Sequence, residues 1–161
     1  MSAVLSMPCR APARSGGFTL PEVLVTLSVI AVLAGLAAPS FNRMIAVQRS
    51  KSIAADLVTV LTRTRSEAIK RNLDVTLLPT GGQWQQGWAI QNPGPAGGFL
   101  EQHGGVVNAT VIGPDSVVFH PNGRLRGNTT PSFDISTTGN PDHRCVMVDL
   151  SGRPYVKQGA C

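Results

Sequence analysis

The stretch Gly17-Phe18-Thr19-Leu20-Pro21-Glu22 joins a short basic leader to an apolar run that ends near Pro39. Glu22 stands only a few residues inside a segment otherwise made of Val, Leu, Ile and Ala. A charge at the centre of a bilayer costs about 2.5–3.5 kcal/mol, so this acid needs a counter-charge or a task.

Upstream, residues 1–17 hold Arg10, Arg14 and no acid, the pattern of a cytoplasmic n-region, and the rest of the chain is expected to face outward. Downstream, residues 18–38 would measure about 31 Å as a helix, against a hydrocarbon core of about 30 Å. They are predicted as a transmembrane helix. Pro21 falls in the first turn, where a missing N–H is harmless, whereas Pro39 lies where the run turns polar and is expected to kink the helix, with Gly35 weakening it nearby.

Beyond Pro39 the apolar residues become periodic. Ile53, Leu57, Val60, Leu61, Thr64 and Ala68 share one face at 100° per residue, which predicts an amphipathic helix over 39–72. Its stripe needs a partner, and the only candidate is the segment that follows. Arg63 and Lys70 point away from the stripe and read as a solvated face. From residue 73 the pattern changes to short β-like runs broken by turn residues. The predicted strands are 75–78, 88–91, 106–112, 117–120, 133–136, 145–150 and 155–157, with Pro93-Gly94-Pro95-Ala96-Gly97-Gly98 as an exposed loop. The expected fold class is α+β: a long N-terminal helix packed on an antiparallel sheet head spanning 73–161.

Charge is unevenly placed. Residues 43–71 carry seven Lys/Arg against two acids, a net +5, while residues 72–161 carry five against six, a net −1. The basic balance of the chain therefore belongs to the leader and the helix, not to the head. Of three cysteines, Cys9 lies in the leader; Cys145 and Cys161 remain and can pair in an oxidising compartment. A zinc reading would join them to His120 and His143, but no CxxC or HxxxH spacing supports it. The histidines His103, His120 and His143 lie in separate segments, and no GxSxG or HExxH occurs. No catalytic set and no cofactor are expected.

A cut between Gly17 and Phe18 would create an α-amino group one helical turn from Glu22, on the same molecule or a neighbour, and so supply the missing charge. Gly17 followed by Phe18-Thr19-Leu20-Pro21-Glu22, an apolar run and Pro39 resembles the class III signal of type IV pilins and of the pseudopilins of type II secretion. That resemblance implies cleavage after Gly17 by a prepilin peptidase of the inner membrane and N-methylation of Phe18. It also implies that Glu22 guides subunits into a helical filament by neutralising a neighbour's N-terminus. Pro21 departs from the aliphatic residue common at its place.

The remainder is similar to the GspH/FimT group of minor pilins and pseudopilins. The resemblance rests on the basic run Arg63-Thr64-Arg65-Ser66-Glu67-Ala68-Ile69-Lys70-Arg71, on Trp88, and on Val118-Phe119-His120-Pro121-Asn122-Gly123-Arg124. Val148-Asp149-Leu150-Ser151-Gly152-Arg153 and Cys161 complete it. It implies a subunit anchored in the inner membrane, its head in the periplasm, with other pilin or pseudopilin subunits, the peptidase and lipid as partners. A pilus and a secretion pseudopilus share all these motifs.

Some members of the group bind DNA through a Gly-Arg-x-Arg pattern near the C-terminus. Here Gly152-Arg153-Pro154-Tyr155 offers tyrosine for the second arginine, with Lys157 two residues on, and Gly123-Arg124-Leu125-Arg126 matches the letters at an earlier turn. Arg124, Arg126, Arg153 and Lys157 would clasp phosphates, with Tyr155 stacking on a base, if the two turns meet. The competing reading is solvated arginines at tight turns, which the head's net −1 favours. A third reading is an ordinary secreted protein cut after Ala37, where Gly35-Leu36-Ala37 forms a small-x-small site.

Overall fold

The computed structural model describes residues 17–161, apart from the side chains of 36–39. The expected leader, with Cys9, Arg10 and Arg14, lies outside the described residues except for Gly17. So does the side chain of Pro39, on which the expected kink turns. The chain divides into two compact units, one ending at Ala38 and the other comprising Pro39–Cys161. Helix α1 runs Leu20–Arg71.

In the first unit the helix starts one residue before Pro21, so the ring sits in the first turn as its chemistry requires. Val23 N–H donates to Thr19 O at 3.2 Å, which makes Thr19 the residue before the helix. Val23, Leu24, Val25, Leu27, Val29, Ile30, Val32 and Leu33 are all exposed, and they fall around the whole circumference. A helix apolar on every side belongs in a core or in lipid. The hydroxyls of Thr26 and Ser28 donate back to Val23 O and Leu24 O at 2.9 and 2.8 Å, so they too are satisfied without water. Among the described residues no single helix is long and apolar enough by itself to cross a membrane, although Leu20–Gly35 and Ser40–Arg71 pass that test together.

In the second unit the predicted stripe is the core. Ile53, Leu57, Val60, Leu61, Thr64 and Ala68 are all buried, and the Thr64 hydroxyl is satisfied by Val60 O at 2.7 Å. The helix stops through backbone geometry at Asn72, which adopts φ 53°. Asn72 N–H reaches Ile69 O and Leu73 N–H reaches Ala68 O, the pair of bonds by which a left-handed residue closes a helix.

The strands form two four-stranded antiparallel sheets. The first has the order β3-β2-β1-β5, with β1 Val75–Pro79, β2 Gly87–Gln91, β3 Phe99–Gly104 and β5 Val117–Phe119. The second has the order β4-β6-β7-β8, with β4 Ala109–Ile112, β6 Ser132–Thr137, β7 Asn140–Val148 and β8 Pro154–Gln158. Inward residues of both sheets join the helix stripe in one core: Val75, Leu77, Trp88, Ile90 and Phe119 from the first, Val111, Phe133, Ile135, Val146 and Val148 from the second. The expected strand over 106–112 begins three residues later, because Val107 is exposed and Asn108 takes φ 53°.

Two further contacts lock the core. Trp84, in a short 3-10 turn, sits edge-on to Phe133 at 4.7 Å and donates its indole N–H to Pro114 O at 2.7 Å. Cys161 is joined to Cys145 with Cα atoms 5.1 Å apart, so the pairing of these two cysteines holds and removes them as zinc ligands. Among the described residues no group of three or more His, Cys, Asp or Glu gathers to hold a metal ion.

Candidate functional site

Gly17 and Phe18 lie in non-helical backbone immediately ahead of α1. Phe18 is 81% exposed, and Gly17 has open space around its Cα. Glu22 is exposed in the first turn of α1, the end at which helix N–H groups favour an anion. Among the described residues nothing packs on the Gly17–Phe18 bond, and the acid lies on the adjoining turn.

The two arginine-bearing turns of the head are built alike. In His120–Arg124, Gly123 N–H donates to His120 O and His120 N–H to Arg124 O; in Asp149–Arg153, Gly152 N–H donates to Asp149 O and Asp149 N–H to Arg153 O. Each is a three-residue loop whose last position needs a left-handed residue, and glycine supplies it with φ 75° at Gly123 and 81° at Gly152. The turns abut: a β-carbon on Gly152 would collide with the Gly123 carbonyl. Arg65 of α1 caps the junction, its Nε donating to Gly123 O at 3.0 Å.

This arrangement brings Arg124 and Arg153 onto adjoining turns, both exposed. Neither forms a close ion pair among the described residues, although the charge of Arg153 also helps to hold Asp149 low. Arg126 is spent differently, its Nη1 lying 3.8 Å from Asp74 Oδ2, while His120 Nδ1 lies 2.8 Å from Asp74 Oδ1. Tyr155 and Lys157 stand two residues apart on edge strand β8, with Lys157 Nζ 5.5 Å from the Tyr155 ring centre. The Tyr155 hydroxyl is directed to Met147 Sδ at 3.5 Å. Sequence reasoning had not assigned Arg65 or Asp74 to this region, because their partners lie 58 and 46 residues away. Arg63, read as solvated, pairs with Glu101 at 2.7 Å.

Electrostatically the second turn is set by Asp149. The Ser151 hydroxyl at 2.6 Å and the Arg153 N–H at 2.9 Å both donate to its Oδ1 and hold the carboxyl below its ordinary range. At the end of α1, hydrogen bonding from Arg71 holds Glu67 low in the same way, helped by Lys70.

Comparison with known proteins agrees with this architecture. Residues 54–152 match the family described as Type II transport protein GspH, and residues 12–38 match the prokaryotic N-terminal methylation motif. The solved type IV minor pilin FimU of Pseudomonas aeruginosa superposes with a TM-score of 0.57 at 24% identity, covering 66% of this chain and 91% of that one. The minor pseudopilin EpsH of the Vibrio cholerae Type 2 Secretion System superposes with a TM-score of 0.55 at 13% identity, covering 68% and 97%. The pilin-like protein PilA1 of Thermus thermophilus is 46% identical over 63 residues, and the match spans 38% of that relative's length. With nearly all of the stripe, seven of the eight strands and the first arginine turn inside residues 54–152, the chain belongs to the GspH family and has the α+β fold of minor pilins and pseudopilins.

Proposed function

We propose that this protein is a structural subunit of a type IV filament, either a pilus or a type II secretion pseudopilus. A prepilin peptidase cuts it after Gly17 and methylates Phe18, residues 18–38 anchor it in the inner membrane, and its head faces the periplasm. The observation that carries this reading is the isolated acid. Glu22 is the one charge in a helical segment whose apolar side chains are exposed on every side, and it lies one turn from the amine that cleavage would create. A neighbour's N-terminus neutralises it when subunits stack, so assembly offsets the cost of holding the charge in lipid.

Two measurements test this. The intact mass of the mature protein should correspond to a methylated chain beginning at Phe18; a start at Ala38 would instead mark an ordinary signal peptide and overturn the proposal. Glu22→Ala should leave the head folded and abolish incorporation into filaments, and normal incorporation would refute the charge-pairing role.

A second reading, that the head binds DNA, is favoured by the abutting turns that carry Arg124 and Arg153. Arg126, Tyr155 and Lys157 would extend that surface. Retardation of duplex DNA by the full chain in neutral detergent should weaken in Arg124→Ala/Arg153→Ala and should fall as salt rises. Absence of retardation at low salt would dismiss it.

A further inference from the structure

A groove on the Pro39–Cys161 unit lies apart from both sites. It holds about 660 Å³ between the α1 face carrying Val47 and Lys51, residues 141–144 at the start of β7, and the tail at 158–160. The tail wall is fixed at two points: Gly159 N–H donates to His143 O at 2.9 Å, and Cys161 is tied to Cys145.

The charges in this groove do not balance. Its one carboxylate, Asp142, is engaged by Arg43 at 3.6 Å, and His143 turns its Nδ1 to Asp134 at 2.8 Å. Arg144 is half-buried, and its Nε donates to the Ser50 hydroxyl at 3.3 Å, a neutral partner. Neither Lys51 nor Arg144 has an acidic partner among the described residues. Partial burial of a guanidinium costs solvation, and a charge-assisted bond to an anion offsets that cost more fully than a neutral hydroxyl does.

We infer that this groove binds an acidic peptide segment of a partner protein, whose carboxylates meet Arg144 and Lys51. Arginine takes a carboxylate through two parallel N–H donors, and the Ser50 contact leaves its terminal nitrogens for that purpose. The volume falls within the roughly 300–1,000 Å³ of sites that enclose sizeable ligands and exceeds what a single inorganic oxyanion fills. No Phe, Tyr or Trp lines it, so it offers no face on which a nucleobase would stack. The inference goes beyond filament assembly and does not depend on Glu22.

The test is anisotropy of a labelled, terminally blocked peptide of alternating aspartate and glycine, titrated with the full disulfide-bonded chain in neutral detergent at low ionic strength. A lysine–glycine peptide serves as control. The aspartate peptide should bind and the lysine peptide should not. Lys51→Glu, a change at an exposed helix position, should weaken binding at least tenfold with the circular dichroism spectrum retained, and Arg144→Gln should do the same. Reduction of Cys145–Cys161 should weaken it too, by releasing the tail wall. Failure of the aspartate peptide to bind, or equal binding by Lys51→Glu, overturns the inference. Competition by inorganic phosphate or succinate at concentrations matching the peptide's own affinity would also overturn it, by making the groove a small-anion site.

Discussion

The carbonyl of Gly123 lies directly against the Cα of Gly152, and this contact joins the two arginine turns of the head. No side chain fits between them.

Gly152→Ala should therefore destabilise the head more than a glycine replacement elsewhere. A left-handed alanine alone costs about 1–2 kcal/mol. Gly159, with φ 95° and open space around its Cα, isolates that cost. At Gly152 a backbone collision is added, worth about 1–3 kcal/mol more as overpacking. Urea unfolding of both variants checks the difference; equal losses would show that the two turns move apart freely.

Leu57 is fully buried in the stripe, whereas Leu27 is 56% exposed in the first unit. Leu57→Ala should cost about 2–5 kcal/mol through lost transfer and the cavity left behind. Leu27→Ala should leave the unfolding midpoint of the head unchanged. If both variants unfold like the parent, the head does not depend on the helix for its core.

The stripe was legible in the sequence because a helix buried on one side must repeat its apolar residues every three to four positions, and Ile53 to Ala68 do so. Strand β3 was not legible. Its residues, Phe99–Gly104, are exposed or half-exposed, so burial leaves no alternation to read, and the strand exists through its pairing with β2. Division into two sheets was equally hidden, since strand pattern carries no record of pairing. The turn glycines were visible as turn signals, yet their contact was not: Gly123 follows a strand of the first sheet and Gly152 joins two strands of the second, and strand pattern does not record which turns meet.

The link from Cys145 to Cys161 closes a loop with a sequence separation of 16. Cross-linking a loop of about this length stabilises by roughly 3 kcal/mol, chiefly by restricting the unfolded chain. Reductant should lower the urea midpoint of the parent accordingly and have no effect on Cys161→Ser. An unchanged parent midpoint under full reduction, verified by thiol titration, would show the bond to be dispensable.

Acid should weaken the second turn through Asp149. Its folded carboxyl titrates below the ordinary value because the Ser151 hydroxyl, and then the Arg153 N–H, donate to the charged form. A group whose folded pKa is depressed contributes stability above its unfolded value, about 3.9 for aspartate, and loses that contribution as pH falls through the folded value. The parent should thus lose stability relative to Asp149→Asn from about pH 4 downward, and the two curves should run parallel above about pH 5. Ser151→Ala should remove part of the effect, since Arg153 N–H still donates. Urea midpoints measured across this range decide the matter: if the gap between parent and Asp149→Asn stays constant down to about pH 2, the two hydrogen bonds do not hold the carboxylate in the folded state.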